Sequence, residues 1–496
     1  MANIKERTVY TGTFIHCKSL GTLEILSDTA IGVDEKGTIA FISSTPSIPE
    51  NLARLDWSPS TTRYTYPASS KHITFFFPGF LDTHIHASQH PNAGIFGKTT
   101  LLSWLEKYTF PLEASLSDPH KAQLVYKTCV KTTLAHGTTT AAYYATISTP
   151  STTILAQTCL DLGQRAFIGR CAMDNPDFQP AYYRDPDSAT AIQESLSSAL
   201  AIKALDPTHL VQPIITPRFA LSCTEPTLRG LATIATHHSL PIQTHISENV
   251  AEIALVAKHF PSHPSYTALY HACGLLGPRT ILAHACHLTP ADLDLVKSTR
   301  TNISHCPVSN TFLGSGLCPV RELLDADITV GLGSDMSGGY SPSILVAARE
   351  AGAVSRMRTA PGVSSSSPSA TSTGTEEVGG NRDFLKLTIE ETLYLATRGG
   401  AKCLGLENLV GGFEVGKEWD VQMVDLGAEL GLDTSDDDDD DDDDDDTATN
   451  GISNVQIWAG IGWEERIAKW LHLGDDRNVV AVWVRGRLVG GRGKVG

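Results

Sequence analysis

Two imidazoles at alternate positions, His84 and His86 in Phe80-Leu-Asp-Thr-His-Ile-His86, stand at the end of the apolar run Ile73 to Leu81. Alternate residues of an extended strand share a face, so both rings point into the space beyond the strand end. Imidazole is the commonest side-chain metal ligand, and two on one strand leave room for ligands from elsewhere and for a water. The pair alone also suits a solvated face or a hydrogen-bonded rim. Three later segments tip the balance. His245 follows the short apolar run Leu240-Pro-Ile-Gln-Thr, His284 ends Thr280-Ile-Leu-Ala-His, and Asp335 ends Ile328-Thr-Val-Gly-Leu-Gly-Ser-Asp.

Three imidazoles and a carboxylate suit zinc or a similar divalent ion, and His84, His86, His245 and Asp335 are its expected ligands. A water on such an ion has its pKa lowered towards about 7 and supplies hydroxide at neutral pH. Glu248, three residues after His245, is placed to take the water's proton and pass it to a leaving group. His284 is either a further nitrogen ligand or a neighbour that holds the reacting oxygen by a hydrogen bond. The second role is favoured, because four ligands are already assigned and a catalytic ion needs a position for water.

What places these residues is legible in their spacing. From His245 to His284 is 39 residues and from His284 to Asp335 is 51. A β-strand with its returning helix needs upwards of about 30 residues, so each interval suits one βα unit. The expected fold is α/β, a (β/α)8 TIM barrel with its chemistry at the C-terminal ends of the strands. Thr8 to Ser44, Trp419 to Leu426 and Val479 to Val489 instead alternate apolar and polar residues between Gly-containing turns, as antiparallel strands do. The expected organisation is a small β-sandwich domain built from segments 1–74 and 406–496, flanking a barrel over 75–405. A Ser/Thr/Gly-rich insertion at 363–380 and an acidic loop at about 431–454 are expected to be flexible surface segments remote from the chemistry.

Composition excludes several classes. The net charge of −17 includes eleven charges from the unbroken run Asp436 to Asp446, leaving −6 for the rest. No basic stripe suggests nucleic-acid binding. No run of about 20 apolar residues suggests a membrane span, and the N-terminus lacks the apolar core of a signal peptide, so a cytoplasmic location is expected. The ten cysteines form no Cys-x-x-Cys pair, which argues for reduced thiols and against a thiolate zinc site. There is no His-Glu-x-x-His, no Gly-x-Ser-x-Gly and no phosphate-binding P-loop, and the one Gly-x-Gly-x-x-Gly match ends the chain at Gly496 with no helix to follow. The zinc signature of the small nucleobase deaminases is missing as well.

These residues resemble the amidohydrolase superfamily and, within it, the guanine deaminases. The resemblance is carried by Pro78-Gly-Phe-Leu-Asp-Thr-His-Ile-His-Ala-Ser-Gln89, Leu102-Ser-Trp-Leu-Glu-Lys-Tyr-Thr-Phe-Pro-Leu-Glu113, Gly137-Thr-Thr-Thr-Ala-Ala-Tyr-Tyr-Ala-Thr-Ile147, Thr216-Pro-Arg-Phe-Ala-Leu-Ser-Cys223, Thr244-His-Ile-Ser-Glu-Asn249 and Gly333-Ser-Asp-Met-Ser-Gly-Gly-Tyr340. It implies a mononuclear zinc enzyme converting guanine to xanthine and ammonia, with Glu248 shuttling protons, Asp335 assisting and His284 steadying the developing oxygen charge. It further implies that Gln89 and Arg218 hydrogen-bond the purine edge and Phe219 packs on the ring. His86, Ala87, Ser88, His245, Glu248 and Asp335 would surround the base, and the enzyme would be a homodimer. Ala220 stands where the family pattern leads one to expect serine. The alternatives are a deaminase of another heterocycle (cytosine, adenosine-type or s-triazine), a cyclic-amide hydrolase, or a metal-free scaffold. The bridging lysine of the two-metal cyclic-amide enzymes has no counterpart in Val211-Gln-Pro-Ile-Ile-Thr-Pro-Arg218, and the scaffold reading fits poorly with a full set of ligands.

Overall fold

A computed structural model describes residues 6–65, 72–95, 101–360, 382–430 and 453–492. The insertion expected at 363–380 lies outside them, as does the acidic stretch 431–454 apart from its last two residues. Among the described residues no helix is long and apolar enough to cross a membrane. All ten cysteines are buried and free.

Both ends of the chain contribute to one nine-stranded sheet. Its hydrogen-bonded path runs Arg487–Gly490, Val479–Val484, Val421–Leu430, His72–Pro78, Thr8–Ser19, Thr22–Val33 and Ile39–Ser44, with two short strands off the path. The three consecutive phenylalanines of His72–Pro78 explain how it is anchored, because successive strand residues face opposite sides. Phe76 joins an aromatic core in which Tyr10 stacks on Trp419 at 4.4 Å and meets Trp483 edge-on at 5.4 Å. Phe75 and Phe77 point the other way onto Trp470 of helix Trp463–Leu473, at 5.2 and 5.1 Å.

The apolar run Ile73 to Leu81 does not form one strand. It divides at Gly79 between the terminal sheet and the strand Phe80–His86. A β-carbon at Gly79 would meet the Thr139 side chain at 2.1 Å, so only glycine lets the chain cross there. The expected domain boundary at 74/75 thus falls inside strand His72–Pro78.

Between the terminal segments the strands are parallel. Phe80–His86, Thr138–Tyr144, Arg165–Gly169 and Val211–Pro213 form one sheet, and Ile242–Ile246, Thr280–His284, Asn302–His305 and Val330–Leu332 form another. Helices return the chain between strands, as parallel pairing requires. Their starts are written in the sequence. Asp118, Ser148 and Asp187 accept hydrogen bonds from the first-turn amides of Pro119–Ala135, Thr149–Leu162 and Ser188–Leu205.

The two parallel sheets approach each other on both sides. On one side Ile215 bridges Ile242, and Gln243 N donates to Ile215 O at 2.9 Å. On the other, Thr83 Oγ1 donates to Leu332 O at 2.9 Å and Asp335 N donates to His84 O at 2.8 Å.

One buried ion pair ties the parallel strands to the terminal sheet. Arg165 is fully buried, meets Asp420 at 3.0 Å and pairs with Glu418. Arg165→Ala leaves Glu418 its second partner, Arg485 at 2.9 Å, but leaves the buried Asp420 with only the Arg485 backbone N–H at 2.7 Å, and an uncompensated buried charge costs about 3–5 kcal/mol. A urea midpoint lowered by that amount at unchanged slope is expected; a shift under about 1 kcal/mol would mean that water compensates the charge.

Candidate active site

The strand ends bring five residues with potential ligand atoms into one buried cluster. His84 and His86 end Phe80–His86, His245 sits in Ile242–Ile246, His284 ends Thr280–His284, and Asp335 lies three residues beyond Val330–Leu332. His284 and Asp335 hold left-handed backbone, with φ of 74° and 45°. Non-glycine residues rarely adopt it, and such strain collects at functional sites.

Distances inside the cluster test its fitness for a metal. His84 Nε2 is 3.2 Å from Asp335 Oδ1, His86 Nε2 is 3.5 Å from the same oxygen, and His86 Nε2 is 3.2 Å from His245 Nε2. Four ligands each about 2.0–2.1 Å from a tetrahedral zinc lie about 3.3–3.4 Å from one another. His284 Nε2 stands further out, 3.8 Å from Asp335 Oδ2 and 3.6 Å from Glu248 Oε2. A looser grouping, with ligand atoms within 4.8 Å of one another, gathers His84, His245, His284 and Asp335. The chain therefore holds a His/Asp cluster able to bind a metal.

Neighbouring groups set how each ring presents itself. His245 Nδ1 donates to the Arg218 carbonyl at 2.6 Å, so its Nε2 offers a lone pair to the centre. His284 Nδ1 donates to Asn310 Oδ1 at 2.8 Å. Nε2 of both His84 and His284 is buried without a hydrogen-bond partner. Burial holds the imidazoles of His84, His86 and His245 below their usual pKa range, the charge of His84 adding to the effect on the other two. Burial also acts against charge on His284, but Glu248 and Asp335 outweigh it and push its pKa up. Burial likewise opposes ionisation of Asp335, where His84, His284 and His245 prevail and hold its carboxyl well below the usual range.

Glu248 lines the same cavity as the cluster, its Oε2 3.6 Å from His284 Nε2. Ser315 Oγ donates to its Oε1 at 2.7 Å, which leaves Oε2 turned to His284. Burial pushes its carboxyl pKa up against the pull of His284, as suits a group that both accepts and donates a proton.

A cavity opens on His86, His245, Glu248, His284 and Asp335, lined also by Gln89, Trp104, Leu105, Arg218 and Phe219. Ala87 and Ser88 are buried but do not line it. Arg218 makes a two-pronged pair with Glu113, Nη1 to Oε2 at 2.6 Å and Nη2 to Oε1 at 3.1 Å, and Gln89 Nε2 donates to the same Oε1 at 3.0 Å. Neither Glu113, Ser315 nor Asn310 carried a role in the sequence reading. Glu113 ends the motif Leu102 to Glu113, whose resemblance was its only signal, and the other two sit in connections without a repeating pattern.

With this geometry in view, comparison with known proteins gives the class. The amidohydrolase family model matches residues 75–489, and the chain belongs to that family. Several relatives within it are guanine deaminases. The probable guanine deaminase of Schizosaccharomyces pombe is 43% identical over 97% of this chain and 83% of its own length. The human guanine deaminase is 38% identical over 97% of this chain and 96% of its own length. Among solved structures, the guanine deaminase from C. acetobutylicum with guanine bound in the active site superposes with a TM-score of 0.78 at 29% identity, covering 97% of this chain and 99% of that one.

Proposed function

We propose that this protein hydrolyses guanine to xanthine and ammonia, using one zinc ion per subunit held by His84, His86, His245 and Asp335. The observation that carries the reading is the shared cavity. Its metal-binding cluster and Glu248 lie beside Gln89 and Arg218, two donors suited to the O6 and N7 acceptors of guanine. The three ligand-atom separations of 3.2 to 3.5 Å favour His86 over His284 in the metal set.

A divalent ion at this position lowers the pKa of a water towards about 7, making it a nucleophile at neutral pH. The protein's own groups do the rest. Arg218 and Gln89 hold the purine edge, and Phe219 packs on the ring, so that the carbon bearing the exocyclic amine faces Glu248 and His284. Glu248 Oε2 takes the attacking water's proton, with Asp335 assisting, and delivers it to the neighbouring ring nitrogen. His284 Nε2 donates to the oxygen as charge develops on it. As the carbon–nitrogen bond breaks, Glu248 carries the second proton to the departing amine, which leaves as ammonia. Xanthine remains.

Ammonia release from guanine by the purified protein is the direct test. A chelator should abolish that release and stoichiometric zinc restore it, with about one zinc per chain by elemental analysis. The apoprotein should also melt lower, because a ligand present at 1,000 times its dissociation constant contributes about 4 kcal/mol to the folded state. Unchanged melting and activity after complete removal of metal would defeat the zinc assignment.

The same reading extends to the whole molecule. The two parallel sheets are taken as one (β/α)8 barrel, whose seams are the Ile215–Ile242 bridge and the Thr83 and Asp335 hydrogen bonds. The terminal sheet is taken as curling over its aromatic core into a sandwich-like domain from the two terminal segments, the first running through strand His72–Pro78 and the second from about 406. A cytoplasmic homodimer is the expected form, with a free purine base rather than nucleic acid or membrane as its partner.

A further inference from the structure

Glu113 is buried on the helix Phe110–Ser115 and does not line the cavity, yet both purine-edge residues end on it. Its two oxygens accept from Arg218 Nη1 and Nη2, from Gln89 Nε2, from Tyr183 Oη at 2.7 Å and from Ser88 Oγ at 3.3 Å. A carboxylate offers about four lone-pair sites, so this one is saturated. We propose that Glu113 is a positioning and selectivity residue: its charge offsets that of Arg218, so that the site takes a neutral purine and releases an anionic product. The proposal rests on the guanine-deaminating reading and adds to it the property that separates substrate from product.

Two physical consequences follow from the contact set. First, the end-on pair uses one N–H of each Nη, and with Nη1 also 4.0 Å from Met173 Sδ, the second Nη2 hydrogen and Nε–H are left for a ligand, so Arg218 remains a donor while its charge is balanced. A buried guanidinium without that partner would hold any anion that could reach it. Second, a carboxylate cannot donate. It therefore fixes which end of the Gln89 amide faces it, and Ser337 N, donating to Gln89 Oε1 at 3.4 Å, agrees with that orientation. The second N–H of Gln89 Nε2 stays free for an acceptor on the base.

Substrate and product differ in the property this arrangement senses. Hydrolysis turns the carbon bearing the amine into a carbonyl and leaves a hydrogen on the adjoining ring nitrogen N3, and xanthine ionises there more readily than guanine does at any N–H. An arginine lacking its carboxylate would retain the xanthine anion, whereas the paired one lets it leave. The other titratable groups facing the base, Glu248, Glu252, Asp335, His86, His245 and His284, are common to every variant compared below.

The experiment measures KM for guanine and Ki for xanthine, at one pH below and one above the ionisation of xanthine, for the wild type, Glu113→Gln and Glu113→Asp. In Glu113→Gln the ratio Ki/KM should fall about tenfold, and further at the higher pH, because one charge near an anion in a partly dry site is worth at least that factor. Glu113→Asp keeps the charge and loses reach, so its ratio should stay within about twofold of the wild type while kcat/KM declines. A residue that only supports the fold would weaken both ligands alike. For the wild type, Ki should rise with pH as the neutral form is depleted. An unmoved ratio in Glu113→Gln, the same fall in Glu113→Asp, or a wild-type Ki that tightens with pH overturns the proposal. If the glutamine variant does not fold, the wild-type pH series and the aspartate variant decide. Failure of the parent reading is distinct: it shows as a wild type inert on guanine, whereas failure of this proposal shows in an active enzyme.

Discussion

Glu248→Ala should lower kcat for guanine by about 10³- to 10⁴-fold, the upper part of the range for a positioned acid–base group, because one carboxyl handles both proton transfers. KM should change little on the proposed reading, in which Arg218 and Gln89, both lining the same cavity, remain to hold the base. The loss should not come from unfolding. Glu248 is buried with one short hydrogen bond, from Ser315, and burial disfavours its ionised form. The alanine variant should therefore melt at or above the wild-type temperature, the usual relation between a functional buried charge and stability. Steady-state ammonia release and a thermal melt on the same preparation check both parts. A kcat within tenfold of wild type would remove Glu248 from the proton path.

Arg218→Ala should reduce both catalysis and stability, which sets it apart from the Glu248 variant. Losing charge-assisted hydrogen bonds to the base, each worth about 1.5–3 kcal/mol, predicts a fall in kcat/KM of about 10²-fold. Removing the guanidinium also leaves Glu113 buried with only neutral donors from Gln89, Tyr183 and Ser88. An orphaned buried charge costs about 3–5 kcal/mol, so the denaturation midpoint should drop as well. Arg218→Ala combined with Glu113→Gln should regain most of the stability and none of the activity, a coupling that a double-mutant cycle reads directly. Additive stability losses would show that the pair contributes nothing as a pair.

The cluster was legible because its ligands sit where a simple periodicity puts them. His84 and His86 obey the two-residue repeat of a strand, and His245 and His284 fall at or near the ends of short apolar runs. Asp335, three residues past Leu332, still follows from the rule that parallel strands carry their chemistry at their C-terminal ends. The division of Ile73 to Leu81 between two sheets was not legible, since an unbroken apolar run gives no sign of a change of partner. The sign is Gly79, whose need for glycine is visible only once Thr139 is in place. Glu113 escaped for a similar reason. A glutamate on a short helix looks like a solvated residue until a chain segment 105 positions away supplies the arginine that pays for its burial. Ser315 and Asn310, which orient Glu248 and His284, lie in connections where no repeat marks a functional position. Resemblance singled out Gln89 and Arg218, which line the cavity and which periodicity alone could not mark.

The most direct test of the account is ammonia release by the purified, metal-analysed protein offered guanine, adenine, cytosine and 8-oxoguanine separately. Release selective for guanine, from protein carrying about one zinc per chain and lost in Glu248→Ala, is the predicted result. Zinc-loaded protein that prefers another base would contradict the assignment of the purine edge to Gln89 and Arg218, and metal-free protein inert on all four would contradict the enzymatic reading itself.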